Sequence, residues 1–459
     1  VRIFTDDVKM RFGLNKCATL TMKRGKKVED MGIVMPEGQM MKDLGETEYK
    51  YLGVLEACEI KSGLMKKSTI DEYKRRLRLL LRSKLNGGNM IKAINTWAVS
   101  VLRYTAGILS WTKEEICQLD RKTRKMMTMH GMLHPRANVA RLYLPRDEGG
   151  RGLISAEECI RIEEHGLSDY VKMKDKGFNR LLSAMEKGDT KHEFKRKSKE
   201  EKEKGWKEKV LHGQYPGLVA NTDQGKTFRW IKNGYMKKET EGMLTAAQDQ
   251  ALSTRWRKVN IEKREGTPLC RLCNERDETT FHILSECTKI AGTEYKKRHD
   301  GVAKIVHWNL CKQYGFQTKK KWYDHETETV MENENAKILW DMMIQTDHVI
   351  TARRPDIVVK DKLLDHTWLI DVAVPGDGRV KEKEREKVEK YQDLARELRK
   401  LWSTSVNVVP IVIGALGAVE NVEEELHKLN IERKEISKVQ FAALLGSARI
   451  LRKVLDLPG

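Results

Sequence analysis

Hydrophobic residues recur at helical spacing through much of the first half of the chain. Between residues 70 and 104, apolar positions alternate with Lys and Arg in the three-to-four-residue period of an amphipathic helix. The run 86–89 (Asn-Gly-Gly-Asn) interrupts the pattern and divides it into two helices, and a further helix is predicted over 113–129. The apolar positions of the first helix are Tyr73, Leu77, Leu80, Leu81 and Leu85. This part of the chain is therefore predicted to be helical, with basic outer faces.

The last third of the chain alternates between strand and helix patterns. Residues 353–374 contain two short runs of β-branched residues with charged residues between them, which predicts a β-hairpin. The mixed-charge stretch 380–394 contains no helix breaker and predicts a helix with one narrow apolar edge. Further predicted elements are an apolar helix over 338–344, a strand over 406–413 and a closing helix over 435–457. We therefore predict an α/β unit from about residue 330 onward.

The hairpin brings two acids together. If its strands pair symmetrically about Leu363-Leu364, Asp356 lies directly opposite Asp371. Facing like charges destabilise a sheet, and a divalent cation between them removes that cost; Mg²⁺ suits such hard oxygen ligands. Lys387 and Lys390 lie three residues apart on the following helix, so both can lean toward the hairpin. Two carboxylates, a metal and a lysine are the parts needed to hydrolyse a phosphodiester. The alternative is two solvated aspartates beside a charged surface helix.

Four possible metal ligands lie within a short segment. Cys270 and Cys273 form a Cys-x-x-Cys pair, and His282 and Cys287 follow at spacings that suit a tetrahedral Zn²⁺ site. Such a site would itself supply much of the folding energy of a small charged segment. The alternative is four unrelated residues. Since the other cysteines of the eight are scattered, a disulfide framework is not expected, and we predict a reducing, intracellular setting.

The charge of the chain indicates a polyanionic partner. Lys and Arg number 87 against 67 Asp and Glu over 459 residues, which gives a net charge of +20 and a pI near 9.4. Basic proteins of this kind bind nucleic acid by releasing counterions from phosphates. An anionic membrane surface is the second option, but no convincing amphipathic anchor supports it. The longest apolar run, 408–419, contains Pro and Gly and is too short to span a bilayer.

The hairpin motif is similar to that of a known nuclease. Pro-Asp, fourteen residues, Asp and then a lysine-bearing helix ending in Lys-Tyr resembles the restriction-like endonuclease of site-specific non-LTR retrotransposons, a variant of the PD-(D/E)XK fold. The resemblance implies that Asp356 and Asp371 bind the metal. Ala373 stands where the standard motif has its lysine, so the catalytic lysine is expected on the next helix, as Lys387 or Lys390. The Cys-Cys-His-Cys pattern also matches the zinc knuckle that precedes this nuclease in the family.

The start of the chain resembles the end of a reverse transcriptase. Residues 12–16 (Phe-Gly-Leu-Asn-Lys) and a short strand around 49–54 are similar to the last two palm motifs, and Tyr51-Leu52-Gly53 resembles the primer grip. Glycine inside a strand often marks the close approach of another backbone. The helices after them resemble the thumb by position. Asp6-Asp7 stands too close to the first motif to be the catalytic pair, so we do not expect polymerase chemistry from this chain.

Together these features predict a multidomain protein that is mainly α with an α/β domain. Because it begins with valine, we expect the chain to be part of a longer polyprotein. The predicted reducing, intracellular setting leads us to expect that it works in the nucleus. The resemblance implies nicking of target DNA to prime reverse transcription, with DNA and element RNA as partners, structural zinc, catalytic magnesium and no small-molecule cofactor. Arg353 and Arg354 are candidate nucleic-acid contacts. A decayed element that only binds nucleic acid and a junction resolvase are the alternatives. The predicted regions are a palm remnant (1–60), a helical thumb (61–165), a charged helical connector (166–265), a zinc knuckle (266–292), a basic connector (293–329) and the endonuclease (330–459).

Overall fold

The protein, studied as a computed structural model, combines helices and small sheets in two compact units. The structure describes residues 3, 7–9, 17–29, 31–35, 38, 40–41, 43–44, 49–51, 53–56, 60–173 and 188–458. Unit 1 comprises Val1–Leu81, Ala93–Thr123 and Ile154–Lys195, and unit 2 comprises Arg82–Lys92, Arg124–Leu153 and Arg196–Gly459. This mixture of helix and sheet agrees with the predicted class at its coarsest level. Within the described residues, every helix is either too short or too polar to cross a bilayer.

The elements are numbered in chain order. The strands are β1 (Met22–Lys23), β2 (Lys26–Lys27), β3 (Ile33–Val34), β4 (Met40–Met41), β5 (Tyr49–Tyr51), β6 (Val54–Glu56), β7 (Val330–Glu332), β8 (Ala336–Trp340), β9 (Ile357–Asp361), β10 (His366–Ala373) and β11 (Ser405–Val412). The helices are α1 (Ser62–Arg82), α2 (Gly87–Ala93), α3 (Val99–Ala106), α4 (Lys113–Met129), α5 (Val139–Tyr143), α6 (Ala156–Met173), α7 (Lys191–Lys207), α8 (Gln214–Leu218), α9 (Gln224–Thr227), α10 (Arg229–Asn233), α11 (Lys238–Gln248), α12 (Arg255–Asn260), α13 (Thr280–Ser285), α14 (Lys296–Gln313), α15 (Val380–Lys390), α16 (Gln392–Leu401), α17 (Val422–Lys428) and α18 (Arg433–Leu455).

The helices predicted in the first half of the chain are present. α1 buries one face at the predicted spacing, and α4 has the predicted bounds. The segment around 49–54 differs from the prediction. It is a hairpin of β5 and β6, and Gly53 occupies the turn with φ of +86° instead of lying inside a strand. Glycine adopts this left-handed conformation at little cost. The buried residues of α1 are Met65, Thr69, Tyr73, Leu77 and Leu81.

A five-stranded sheet forms the centre of the C-terminal part of unit 2. Its order is β11-β10-β9-β8-β7; β10 and β11 are parallel, and the other neighbouring pairs are antiparallel. β9 and β10 form a hairpin whose register pairs Ile357 with Ile370. This is the predicted register, because extending it by one residue sets Asp356 across from Asp371.

The sheet lies between two layers of helices. Ile370 points to the face that packs against α14, α17 and α18. Val358 and Leu369 point to the opposite face, which packs against α16. Since alternate residues of a strand share a face, Asp371 belongs to the face covered by α16. Asp356 lies just before β9 and contacts His299 of α14, the helix on the opposite face. The register therefore brings the two acids to the same end of the sheet.

The apolar run 338–344 is not the helix that we predicted. Its first part belongs to β8, which pairs with β7 and β9. A short apolar run fits a buried strand as well as a buried helix, and here the two neighbouring strands decide between them.

The predicted connectors also contribute to the core of unit 2. α14 lies within 293–329 and buries Val302, Ile305 and Val306 against the sheet. Trp206 and Trp230, from 166–265, are buried in a second cluster that includes Cys270 of the predicted zinc knuckle. The α/β unit therefore begins before residue 330. Their charge-rich sequence indicated connectors, although some of the basic residues are themselves buried, such as Arg298 of α14, which contacts the Ser447 hydroxyl and the Val374 carbonyl oxygen.

A buried ion network ties the glycine-rich turn at 149–152 to α11. The carboxylate of Glu241 is fully buried and lies 2.6 Å from an Arg146 nitrogen and 3.0 Å from an Arg151 nitrogen. Gly149 and Gly152 adopt φ of +84° and +75°, which turns Arg151 inward. Burial lowers the pKa of Arg151. Because two guanidinium groups share one carboxylate, the cost of losing that carboxylate is high.

We expect Glu241→Gln to lower the free energy of unfolding of unit 2 by about 3–5 kcal/mol, since it leaves Arg151 charged and buried without a counterion. Urea denaturation measures this change. Glu239→Gln is the matched control on the same helix, since Glu239 is 43% exposed and its effect should stay below about 1 kcal/mol. Equal destabilisation by the two variants would contradict the role assigned to the network.

Candidate functional site

The two predicted acids lie at the same end of the sheet. Asp356 directly precedes β9, and Asp371 lies near the end of β10. Asp371 is only 2% exposed, so its carboxylate requires partners within the protein. The structure brings Lys387, Tyr391 and His299 to this pair of acids.

Asp371 is contacted by the helix that follows the hairpin. The hydroxyl of Tyr391 donates a hydrogen bond to Asp371 Oδ1 at 2.6 Å. The other oxygen, Oδ2, forms an ion pair with the ammonium group of Lys387. Within the described part of the chain, Oδ2 is buried and accepts no hydrogen bond of regular geometry. This oxygen already has the Lys387 ammonium group as a cationic partner, and a hard cation would be a second suitable partner for it.

Tyr391 reaches the acids because the predicted helix 380–394 is divided. α15 ends at Lys390, and α16 begins at Gln392, with Tyr391 at the junction at φ of −106°. The Tyr391 ring is fully buried, and its hydroxyl also lies 3.0 Å from the carbonyl oxygen of Arg354. Burial and the charge of Asp371 raise the pKa of Tyr391, so the phenol remains a proton donor. The sequence pattern marked Tyr391 only as part of an apolar edge.

Asp356 is held by a backbone amide and by a histidine. The Val372 amide donates to Asp356 Oδ2 at 2.6 Å, and His299 Nε2 lies 3.0 Å from the same oxygen. His299 Nε2 is also 3.1 Å from the Val372 carbonyl oxygen. The other ring nitrogen, Nδ1, lies 3.0 Å from Asp300. The imidazole thus lies between two acids and points its Nε2 at two oxygen atoms.

These contacts shift the pKa values of both partners. Burial alone would lower the pKa of His299, but hydrogen bonding and charge from Asp356 and Asp300 raise it to about 9. Burial alone would raise the pKa of Asp356, but His299, the Val372 amide and the charge of Lys387 lower it. At neutral pH, Asp356 is therefore an anion next to a cationic imidazole.

The two candidate lysines occupy different positions. Lys387 contacts Asp371 directly, is 16% exposed and is close enough to lower the pKa of Asp356. Lys390 is 45% exposed, and its ammonium group is 3.8 Å from Asp371 Oδ1. It donates instead to the Tyr391 hydroxyl at 2.8 Å and lies over the Tyr391 ring. Lys387 therefore faces both acids, whereas Lys390 lies at the margin of the site.

An open cleft of about 620 Å³ borders Asp356. Its lining is mixed in charge, because basic Lys296, Arg298 and Arg354 are interspersed with acidic Asp300 and Asp341. Such a lining can contact a phosphate backbone through its cations while the acids hold the cations in place.

The two arginines predicted to contact nucleic acid differ in their surroundings. Arg354 is exposed at the cleft and forms an ion pair with Asp341 at 2.8 Å. Arg353 is half-buried, and its carbonyl oxygen accepts a hydrogen bond from the Ile344 amide. Of the pair, Arg354 is therefore the one that the structure places beside Asp356.

The four predicted zinc ligands form one buried group. Cys270 Sγ lies 3.9 Å from Cys287 Sγ, and Cys273 Sγ lies 3.4 Å from His282 Nε2. All four ligand atoms lie within 4.8 Å of one another. Around a tetrahedral Zn²⁺, sulfur atoms are about 3.8 Å apart and sulfur and nitrogen about 3.6 Å apart. The group is thus already arranged to bind a metal ion.

Neighbouring groups orient these ligands. Burial alone would raise the pKa of Cys273, but hydrogen bonds from the Glu275 and Arg276 backbones lower it. The Leu272 amide lies 3.5 Å from Cys270 Sγ, and amide-to-sulfur contacts of this kind stabilise a thiolate. The hydroxyl of Tyr295 accepts from the Cys287 amide at 3.0 Å. The short helix α13 carries His282, with Thr279 as its N-cap.

The remaining predicted sites are only partly described. The motif 12–16 and Leu52 lie outside the described residues. The backbone of Tyr51 belongs to β5, and Gly53 follows in the turn. The predicted primer grip therefore stays a prediction.

We did not predict from the sequence that the site includes His299 and the hydroxyl of Tyr391, or that the chain has a second group of possible metal ligands. That group consists of His307, Cys311 and His325, all buried. The spacing of four between His307 and Cys311 was visible and places both on one helix face. His299 left no such signal, because it lies 57 residues from Asp356 in the sequence.

Comparison with known protein families and with curated proteins finds no match for this chain. The functional interpretation therefore depends on the residues and the geometry described above.

Proposed function

We propose that the α/β part of unit 2 is a metal-dependent DNA endonuclease, and that the chain is the C-terminal part of a non-LTR retrotransposon polyprotein. The observation that carries this proposal is the convergence on one site of Asp356 and Asp371 with Lys387 and Tyr391. A pair of acids on neighbouring strands, with an amine from the next helix, is the arrangement that the motif resemblance predicts.

The donor set fits magnesium. Asp356 and Asp371 supply carboxylate oxygens from neighbouring strands, and Asp371 Oδ2 is buried with no hydrogen bond of regular geometry among the described residues. Mg²⁺ prefers carboxylate oxygens and binds through one or two of them together with substrate phosphate. When bound, such an ion supplies polarisation of the phosphoryl oxygen and a more acidic water.

The other residues have roles that follow from their positions. Lys387, next to both acids, is placed to stabilise negative charge that develops on the phosphate. Tyr391 holds Asp371 Oδ1 and thereby orients the other carboxylate oxygen. His299 holds Asp356 in the same way. Arg354 and Lys296, at the cleft, are placed to bind the DNA backbone on either side of the cut.

Nucleic acid is the partner that the charge favours. A net charge of +20 supports binding to target DNA and to element RNA, and it supports a nuclear location. In this proposal, the helices within residues 61–165 act as the thumb. The Cys270 group binds one structural Zn²⁺, since four protein ligands close the coordination shell.

The test is nicking of supercoiled DNA. The purified chain with Mg²⁺ should convert supercoiled plasmid to open circles, EDTA should stop the reaction, and Asp371→Ala should lose it. Asp365→Asn, in the exposed loop of the same hairpin, is the matched control and should cleave like wild type. A polymerase should extend the nick, because priming requires a free 3′ hydroxyl.

The outcomes separate the alternatives. Equal cleavage by wild type and Asp371→Ala would refute the proposed site. Equal DNA affinity without cleavage by either would favour a decayed element that only binds nucleic acid. Cleavage restricted to branched DNA would favour a junction resolvase.

A further inference from the structure

A second group of soft and borderline ligands lies in the core beside the sheet. His307 and Cys311 are one turn apart on α14, and His325 follows a short 3₁₀ turn in the segment between α14 and β7. All three side chains are buried. One ligand atom from each lies within 4.8 Å of those of the other two. These residues are separate from the Cys270 group and from the two acids.

The distances resemble those of a metal site. Cys311 Sγ lies 3.5 Å from His307 Nδ1, close to the value of about 3.6 Å expected for sulfur and nitrogen on one Zn²⁺. His307 Nδ1 and His325 Nε2 are 2.9 Å apart, whereas two nitrogens on Zn²⁺ are about 3.4 Å apart. The rings would therefore separate by about half an ångström to admit an ion. Without an ion, the same contact is a hydrogen bond between the two imidazoles.

From this arrangement we propose that His307 Nδ1, Cys311 Sγ and His325 Nε2 bind a second Zn²⁺. A thiolate and two imidazoles form a ligand set that Zn²⁺ favours, and all three side chains are buried. Three protein ligands leave the fourth position of a tetrahedral Zn²⁺ to a water molecule. Met331 Sδ, 3.5 Å from Cys311 Sγ, closes the other side of the group.

The proposed ion joins α14 to the segment 315–329. That segment contains only one 3₁₀ turn, and His325 is its buried residue. α14 also carries His299, which lies two turns, or about 12 Å, before His307 along the helix axis. The ion therefore fixes the segment against the helix that positions Asp356. This inference does not depend on the proposed nuclease activity.

The test is the zinc content of the full chain, measured by elemental mass spectrometry after dialysis. We expect two Zn²⁺ per wild-type chain and one in Cys311→Ala or His325→Gln. Cys159→Ala is the matched control, since Cys159 is buried but belongs to neither ligand group, and it should retain two. In the Co²⁺-substituted protein, Cys311→Ala should lose one of four coordinating thiolates, which lowers the thiolate-to-cobalt absorption by about a quarter.

Proteolysis supplies a second measurement. His325→Gln should speed trypsin cleavage at Lys319-Lys320-Lys321, because the segment loses the ion and is then held to α14 by weaker contacts such as the hydrogen bond from Trp308 Nε1 to the Lys319 carbonyl oxygen. One Zn²⁺ in the wild type, or two in both variants, would overturn the proposal; copper in place of zinc would overturn the assignment of the metal. If the variants fail to fold, the count in the wild-type protein still decides between one site and two.

Discussion

Replacing Lys387 with methionine should reduce the rate of Mg²⁺-dependent nicking by about 10²–10³-fold, the loss expected when one charged group that stabilises a developing oxyanion is removed. Lys387 contacts Asp371 directly, and its charge acts on Asp356 as well. Methionine keeps the length of the side chain and removes the charge. DNA affinity should change only a few-fold, because many other cations contribute to binding. Single-turnover nicking and a binding titration at fixed salt measure the two quantities.

Lys390→Met is the matched control on the same helix. Lys390 is largely exposed, lies 3.8 Å from Asp371 and directs its ammonium group to the Tyr391 hydroxyl. Its loss should slow nicking only a few-fold. A larger loss of nicking rate in Lys390→Met than in Lys387→Met would assign catalysis to Lys390. Small losses of similar size in both variants would show that neither lysine takes part in the chemical step. Thermal denaturation of both variants shows whether a slower nicking rate comes from the loss of a catalytic group or from partial unfolding. Lys387→Arg shows whether a positive charge at this position is enough to restore activity.

The sequence pattern predicts the hairpin but does not decide whether Lys387 or Lys390 is the catalytic lysine. Alternation in the strands and the loop between them define a register, and that register sets Asp356 against Asp371. A helical pattern gives only the direction of a side chain around an axis. The choice depends on the break at Tyr391, which ends α15 directly after Lys390 and places the phenol between that lysine and the acid. Nothing in the local pattern predicts this break.

The number of residues between two contacting side chains also determines whether their contact can be predicted from the sequence. The Cys270 group was predictable because its four ligands lie within one short segment, and their spacing reflects local geometry. His299 reaches Asp356 only after α14 has packed on the sheet, so no local spacing encodes the contact. The same packing brings His325 to His307. The basic run 296–298 led us to predict a connector, although Arg298 and the apolar face of α14 are buried in the core.

If the Cys270 group binds zinc as proposed, its four ligands should contribute more to the stability of unit 2 than Glu241 does. Cys270→Ser should release one Zn²⁺ per chain and lower the free energy of unfolding of unit 2 by about 5 kcal/mol or more, since loss of a structural metal is among the largest single-residue effects. Cys270 is fully buried in the cluster that contains Ile283, Leu284 and residues of α18. Loss of the ion therefore exposes part of the core around it. Urea denaturation with parallel zinc analysis measures both changes.

Cys159→Ser is the control for the cost of the hydroxyl group, because it also places a hydroxyl where a buried thiol was; it lies in unit 1, outside both ligand groups, and should leave the unfolding of unit 2 unchanged. The difference between the two variants isolates the contribution of the metal from the cost of burying a hydroxyl group, which is about 1–3 kcal/mol. Chelation of the wild-type protein should reproduce the effect of Cys270→Ser. If Cys270→Ser instead loses its zinc and unit 2 is destabilised by no more than this cost of a buried hydroxyl group, the ion does not stabilise the core, and the structural role proposed for it is wrong.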